Sequence, residues 1–369
     1  MPPIDPPIDY KKLADKLIAA YAEKKIEYDS KKSFIPQQEL RHDSQLPVIG
    51  SILSLANCTD RYRDPIALDA VLDTIDLEKV YGNLEKREQE NTDPELDYDD
   101  LLVRELLHYF KNNFFTWVNK PTCPCGSEDV DSKGARRGAP GNPDQVSVIE
   151  VYQCKSCGQR VEFPRINNPV SLLKSRKGRC GEWVNCFMLI LHALIGGGGD
   201  SDRIRYVWNQ EDHVWCEYYS FGAKRWIHLD PCEAVADEPL LYCNNWGKKM
   251  SFVIGFNRHY MIDLSDKYIT PEKQIDKATI TSEKKVKVVI RYLNSRKQSD
   301  YYRQVLLQLL QSIPEDALIK VYQRIIVPHN AETLKKTTNT SPETTSSSDL
   351  PVGRQSGSAE WTKSRGESG

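Results

Sequence analysis

Apolar residues recur at helical spacing near the start of the chain. Leu13, Leu17, Ile18 and Tyr21 predict an amphipathic helix over residues 10–25. Two more helical stretches follow at 65–90 and 97–115, opened by Asp64-Pro65 and by Asp97, which are residue types that start helices. Between 123 and 163 the pattern changes. Cysteine pairs flank a Gly/Pro/Ser-rich stretch, DSKGARRGAPGNPD, and a β-rich run, VSVIEVYQC. That reads as a two-knuckle insert with a mobile loop, outside the core. From 164 onward come a loop, an apolar helix beginning near Cys180, a glycine loop (GGGGDSD) and several short strands to about residue 270. Residues 299–311 and 313–326 read as helices, with Pro314 between them. The proline-rich residues 1–9 are expected to be flexible, and the Ser/Thr/Gly-rich stretch 333–369 disordered. The expected organisation is a helical part (10–120), the cysteine insert (121–163), a core (164–275), a C-terminal strand and helices (276–332) and the tail. No internal repeat is evident.

Composition narrows the classes. The chain is 39% hydrophobic and 28% charged, enough apolar content for a sizeable core. A net charge of -2 supplies no global field for nucleic acid or anionic membrane, so neither is expected as a partner. The N-terminus lacks the basic and apolar regions of a secretory signal, and the longest apolar run, CFMLILHALI, is about half a membrane span. A soluble intracellular protein is expected. Ten cysteines in such a chain point to metal ligands, a nucleophile and buried thiols rather than to disulfides.

Cys180 lies in SLLKSRKGRCGEWVNCF, with glycines on both sides that permit a tight turn and close approach by a substrate. The apolar helix that follows puts Cys180 near a helix N-terminus. There the helix dipole and the amides not yet in the helical ladder favour a thiolate and could hold an oxyanion. Lys174, Arg176, Lys177 and Arg179 are expected to push the same way. Cys186, in the apolar body of the helix, reads as a structural thiol.

His213 and Asp230 lie on two strand-like runs, DHVWCEYYS and RWIHLDPCE, separated by the turn signal SFGAK. A hairpin centred between Phe221 and Gly222 sets 213 opposite 230. Opposed Cβ atoms are about 4.5–5.5 Å apart, close enough for the carboxylate to fix the imidazole tautomer for general-base work. His228 is the competing histidine, on the Asp230 face but further down the hairpin; register favours His213.

Cys123, Cys125, Cys154 and Cys157 form a C-x-C and a C-x-x-C-G pair. Four thiolates suit one closed, structural Zn²⁺, although the first pair makes a tighter loop than usual.

Taken together, FTWVNKP, FPRINNPVSLL, GRCGEWVNCF, RYVWNQEDHVWCEYYS, RWIHLDPCE and WGKKMSFVIGF resemble the cytoplasmic peptide:N-glycanases of the transglutaminase-like superfamily. The resemblance covers about residues 100–265. It implies an α+β, transglutaminase-like (papain-like cysteine hydrolase) core with an antiparallel sheet, helical N- and C-terminal extensions and a four-cysteine zinc-binding insert. The family's catalytic cysteine, histidine and aspartate fall on Cys180, His213 and Asp230, and its zinc ligands on Cys123, Cys125, Cys154 and Cys157. Three departures stand out: the shortened first knuckle, the GGGGDSD insertion and the lack of flanking ubiquitin-like or sugar-binding extensions, which suits the short fungal type. The implied reaction is attack on a glycosylated asparagine amide through a thioester, leaving aspartate. Trp117, Trp183, Trp215, Trp226 and Glu233 are candidates for sugar contact, with Trp215 and Glu217 on the His213 face and Trp117 also a candidate oxyanion or cleft residue. The resemblance also implies denatured N-glycoproteins or glycopeptides as substrates, a proteasome-shuttle protein with a ubiquitin-like domain as partner, a monomer, and residence in the cytoplasm and nucleus. The competing readings are a transglutaminase or peptidase using the same three residues, and a non-enzymatic scaffold.

Overall fold

The computed structural model describes residues 9–195 and 203–309. The GGGGDSD loop, the 313–326 helix and the C-terminal tail of the sequence reading lie outside them, as do residues 1–8. The described chain divides into two compact units: one of residues 9–56, 258–262 and 277–309, the other of 57–257 and 263–276.

In the first unit, Asp9 accepts a hydrogen bond from the Lys12 amide (3.0 Å) and starts a helix, Tyr10–Lys32. It packs against the helix Glu283–Leu309, with Ser30 and Ser295 in contact at 3.1 Å. The shorter helices Gln37–Asp43 and Pro47–Leu55 complete the unit, and Lys285 reaches Asp43 at 2.6 Å. Leu13, Leu17 and Tyr21, three of the four apolar positions that predict the first helix, are exposed.

The second unit carries the candidate site. The predicted 65–90 helix is two helices, Pro65–Thr74 and Leu77–Glu90. Ile75 closes the first by donating to the Val71 carbonyl, and Asp76 starts the second by accepting from the Lys79 amide at 3.0 Å. The capping signal at Asp76 therefore overrides the continuous apolar period. Asp97 and Asp100 form a reciprocal capping box before Tyr98–Tyr109, which ends in a wider turn, Phe110–Phe114. The helix Cys180–Leu194 is buried from Glu182 to His192. Phe110 meets Trp183 and Phe187 at 5.4 and 5.2 Å between ring centres, and Phe115 meets Trp183 at 5.3 Å.

That helix packs on an antiparallel sheet with strands in the order Val253–Phe256, Ile204–Asn209, His213–Ser220, Arg225–Asp230 and Val235–Ala236. The insert is more ordered than its composition suggests. Residues expected to form a mobile loop instead make a strand, Val130–Arg137, paired with Val148–Cys154, which pairs in turn with Arg160–Pro164. Cys123, Val130, Tyr152, Cys154, Val161 and Phe163 form a small core of their own, so this segment buries its own apolar surface.

Candidate active site

Cys180 opens its helix as expected, after a tight approach. A short parallel pairing sets Trp117 beside Gly178. A Cβ at Gly178 would lie 2.3 Å from the Cβ of Glu182, so only glycine fits there. The Trp183 amide makes the first helical hydrogen bond, to the Arg179 carbonyl at 2.8 Å, so the amides of Cys180, Gly181 and Glu182 precede the ladder. Glu182 accepts from the Arg179 amide at 3.1 Å and from Arg165 at 2.7 and 3.0 Å.

The expected source of thiolate stabilisation is corrected by the structure. Cys180 is only 7% exposed, and burial pushes its thiol up to about 12, with Asp212 acting in the same direction. The largest opposing charges come from Arg165 and Lys248, neither of them in the basic run before the helix. Within that run, Arg179 turns onto Glu150 and Arg176 lies over the Phe114 ring.

His213 Nε2 lies 2.9 Å from Asp230, with both side chains fully buried. The pairing differs from the expected register. Glu217 pairs with His228 and Ser220 with Arg225, so the turn is centred one residue later and Asp230 lies diagonally across from His213, not directly opposite. A shift of two positions keeps the same face, which is why the contact survives. Asp230 accepts four hydrogen bonds: His213 and the Tyr242 hydroxyl (2.9 Å each) on Oδ2, and the amides of Cys232 and Glu233 (2.8 and 3.3 Å) on Oδ1. Burial alone would raise its pKa, but the hydrogen bonds from His213 and the Tyr242 hydroxyl hold it well below the usual carboxylate range. Burial lowers the His213 pKa against the pull of Asp230, so the ring is neutral. An ionised Asp230 places the proton on Nε2, leaving Nδ1 as the basic nitrogen.

The sulfur and the imidazole share an electrostatic neighbourhood, since Asp212 and Lys248 act on both. Lys248 is 8% exposed, and its Nζ has no hydrogen-bond partner among the described residues. Burial lowers its pKa. Tyr242 and Trp246 pack on the His213 ring at 5.1 and 4.9 Å. His228, the competitor, is held away from the base position: its Nε2 lies 2.8 Å from the Tyr242 hydroxyl that donates to Asp230. Tyr242 and Arg165 have no local sequence signal. Trp246 and Lys248 lie within WGKKMSF, where the composition gives no hint of a role.

The sugar-contact candidates are placed differently from one another. Trp117 is nearly buried and donates its indole N–H to Asn119 at 2.7 Å. Trp183 donates to the Gly178 carbonyl at 3.2 Å, within the aromatic cluster. Trp215 is fully buried, with Tyr242 and Tyr268 at 4.4 and 4.8 Å. Glu217 is buried in ion pairs with Arg205 and Lys267, and Trp226 lies under the Arg205 guanidinium. Glu233 sits 3.6 Å from Lys111.

The four insert cysteines converge. Their sulfurs lie within 4.8 Å of one another, with Cys123–Cys157 at 3.5 Å and Cys125–Cys154 at 3.6 Å. Four thiolates on a tetrahedral ion with bonds of about 2.3 Å require spacings of this size. Gly126 and Gly158 adopt φ of 86° and 73°, backbone that favours glycine where each knuckle turns back. The cluster can hold a metal ion.

The fold and site define a transglutaminase-like protein. The transglutaminase-like superfamily pattern matches residues 132–231, and the Rad4 transglutaminase-like domain pattern matches 200–317. Among curated proteins, the peptide-N(4)-(N-acetyl-beta-glucosaminyl)asparagine amidase of Candida albicans is 56% identical over 100% of this chain and 99% of its own length. The enzyme of the same name from Debaryomyces hansenii is 48% identical over 98% and 97%, and that from Saccharomyces cerevisiae 36% identical over 98% and 97%. This chain belongs to that family, the peptide-N(4)-(N-acetyl-beta-glucosaminyl)asparagine amidases. Among solved structures, Rad4–Rad23 bound to a 6-4 photoproduct UV lesion aligns with a TM-score of 0.41 at 12% identity, over 76% of this chain and 61% of that one.

Proposed function

We propose that the protein removes N-linked glycans by hydrolysing the amide bond between asparagine and the first N-acetylglucosamine, with Cys180 as nucleophile, His213 as base and acid, and Asp230 as its orienting carboxylate. The observation that carries this reading is the buried His213–Asp230 pair at 2.9 Å, in one electrostatic neighbourhood with a cysteine at a helix N-terminus. His213 Nδ1 takes the Cys180 proton as sulfur bonds to the side-chain carbonyl carbon. The unladdered amides at the helix start are suited to the developing oxyanion. The carbon–nitrogen bond then breaks, the glycosylamine leaves with the proton from His213, and a thioester remains. Water, deprotonated by the same imidazole, attacks the thioester; aspartate is left on the peptide and the thiol is restored.

Zinc held by Cys123, Cys125, Cys154 and Cys157 would supply a structural crosslink, since four protein ligands leave it no open position. The reading extends to unfolded glycoproteins in the cytoplasm and nucleus, and to a shuttle protein with a ubiquitin-like domain as partner.

The test is glycan release from a heat-denatured high-mannose glycoprotein. Cys180→Ala should lose activity by on the order of 10³-fold or more. A fully active Cys180→Ala protein, or release of peptides or glutamine–lysine crosslinks instead of glycan, would overturn the proposal.

A further inference from the structure

The three-stranded sheet of the cysteine insert and the nucleophile helix are joined by ion pairs centred on Glu150. Arg179, the residue immediately before Cys180, is fully buried. Its guanidinium forks onto Glu150, with Nη1–Oε1 at 2.7 Å and Nη2–Oε2 at 2.8 Å. It also donates to the Tyr152 hydroxyl (3.0 Å) and to the carbonyls of Val118 and Asn119 (3.1 Å each). Arg165 bridges the same groups, donating to Glu150 at 3.1 Å and to Glu182, on the first turn of the helix, at 2.7 and 3.0 Å.

The origin of these partners matters. Glu150, Tyr152 and Cys154 alternate along one strand and so share a face. Val118 and Asn119 lie just before Cys123. Both chain segments that carry the cysteines therefore hold Arg179. Tyr152 packs in the small core with Cys123 and Cys154. A guanidinium removed from water needs every one of these acceptors, so displacing the strand displaces the start of the helix.

We propose that Glu150 and Arg179 are positioning residues that couple the state of the four-cysteine cluster to Cys180. Metal on the cysteines fixes the Val148–Cys154 strand, the strand holds Arg179, and Arg179 sets where the helix begins. The proposal rests on Cys180 being the nucleophile, and its test reads Cys180 directly.

The full chain is prepared zinc-loaded and chelator-stripped, as wild type, Glu150→Ala, Glu150→Gln and Tyr152→Phe. Zinc content is measured by mass spectrometry, Cys180 alkylation by iodoacetamide is followed on its peptide, and kcat and KM are taken on a denatured N-glycopeptide. Loaded Glu150→Ala should retain zinc, lose about tenfold in kcat with KM within about twofold, and change its Cys180 alkylation rate by about threefold or more. Glu150→Gln, which keeps an acceptor, should fall between it and wild type. Stripping wild type should change alkylation in the same direction, whereas stripping Glu150→Ala should add less than about twofold. Independent, multiplying effects of stripping and substitution would overturn the coupling, as would an alkylation rate indifferent to Glu150→Ala. If Glu150→Ala fails to fold, Tyr152→Phe and Glu150→Gln carry the test: a smaller shift in the same direction supports the proposal and no shift refutes it. An active Cys180→Ala protein would refute the catalytic reading while leaving the alkylation cycle interpretable.

Discussion

Asp230 carries four hydrogen bonds, and its charge only partly opposes the effect of burial on His213. Because burial lowers the pKa of His213 below its ordinary 6.5, the base stays neutral into mildly acidic solution. The acid limb of kcat/KM should therefore lie below pH 6.5, and with the Cys180 thiol pushed up to about 12 no thiolate limb should appear near 9. A pH–rate profile checks both. Tyr242→Phe removes one donor from Asp230. The less dispersed carboxylate charge then favours the imidazolium, moving the acid limb up by about half a pH unit, with kcat lowered and KM little changed. His192 and His228 make a separate prediction for stability. Burial lowers each from 6.5 to about 4. The unfolded chain therefore takes up protons first as pH falls, so stability is fully present above about 6.5 and is lost progressively toward 4. Thermal melts across that window should show the decline; a melting temperature independent of pH would refute it.

Between elements, the decisive geometry is where the nucleophile helix starts and how the hairpin registers. Gly178→Ala would drive a Cβ against Glu182 and shift the first turn. We expect a loss of about 1–3 kcal/mol in chemical denaturation, with kcat falling more than the melting temperature alone would explain. Phe187, fully buried beneath Phe110, anchors the same helix. Its replacement by alanine should cost about 3–5 kcal/mol and reduce both stability and activity. The hairpin also shows how far strand reasoning reaches. Period-two alternation put His213 and Asp230 on one face, but SFGAK did not reveal where the turn is centred. The partner was therefore misplaced by two residues while the face was right.

On the scale of the whole molecule, the cysteine insert is a small folded unit and not a loop on a surface. Its three strands and its own core explain why DSKGARR is ordered despite a composition that suggests mobility. Leu13, Leu17 and Tyr21 of the first helix are exposed while Ile26 is buried, so the periodicity reported a helix without reporting which face is covered.

What the sequence determined by itself was local: a helix starting at Cys180, alternating strands around His213 and Asp230, capping at Asp97, and two cysteine pairs short enough to share one ion. Each depends on residues within a few positions of one another, where spacing and side-chain type decide the outcome. Tertiary structure decided what surrounds them. Burial, not the neighbouring basic run, sets the state of the Cys180 thiol. Tyr242 reaches Asp230 from twelve positions away, and Glu150 holds Arg179 from twenty-nine. Contacts of that kind, like desolvation, depend on how distant segments come together, and no local pattern of residues encodes that distance.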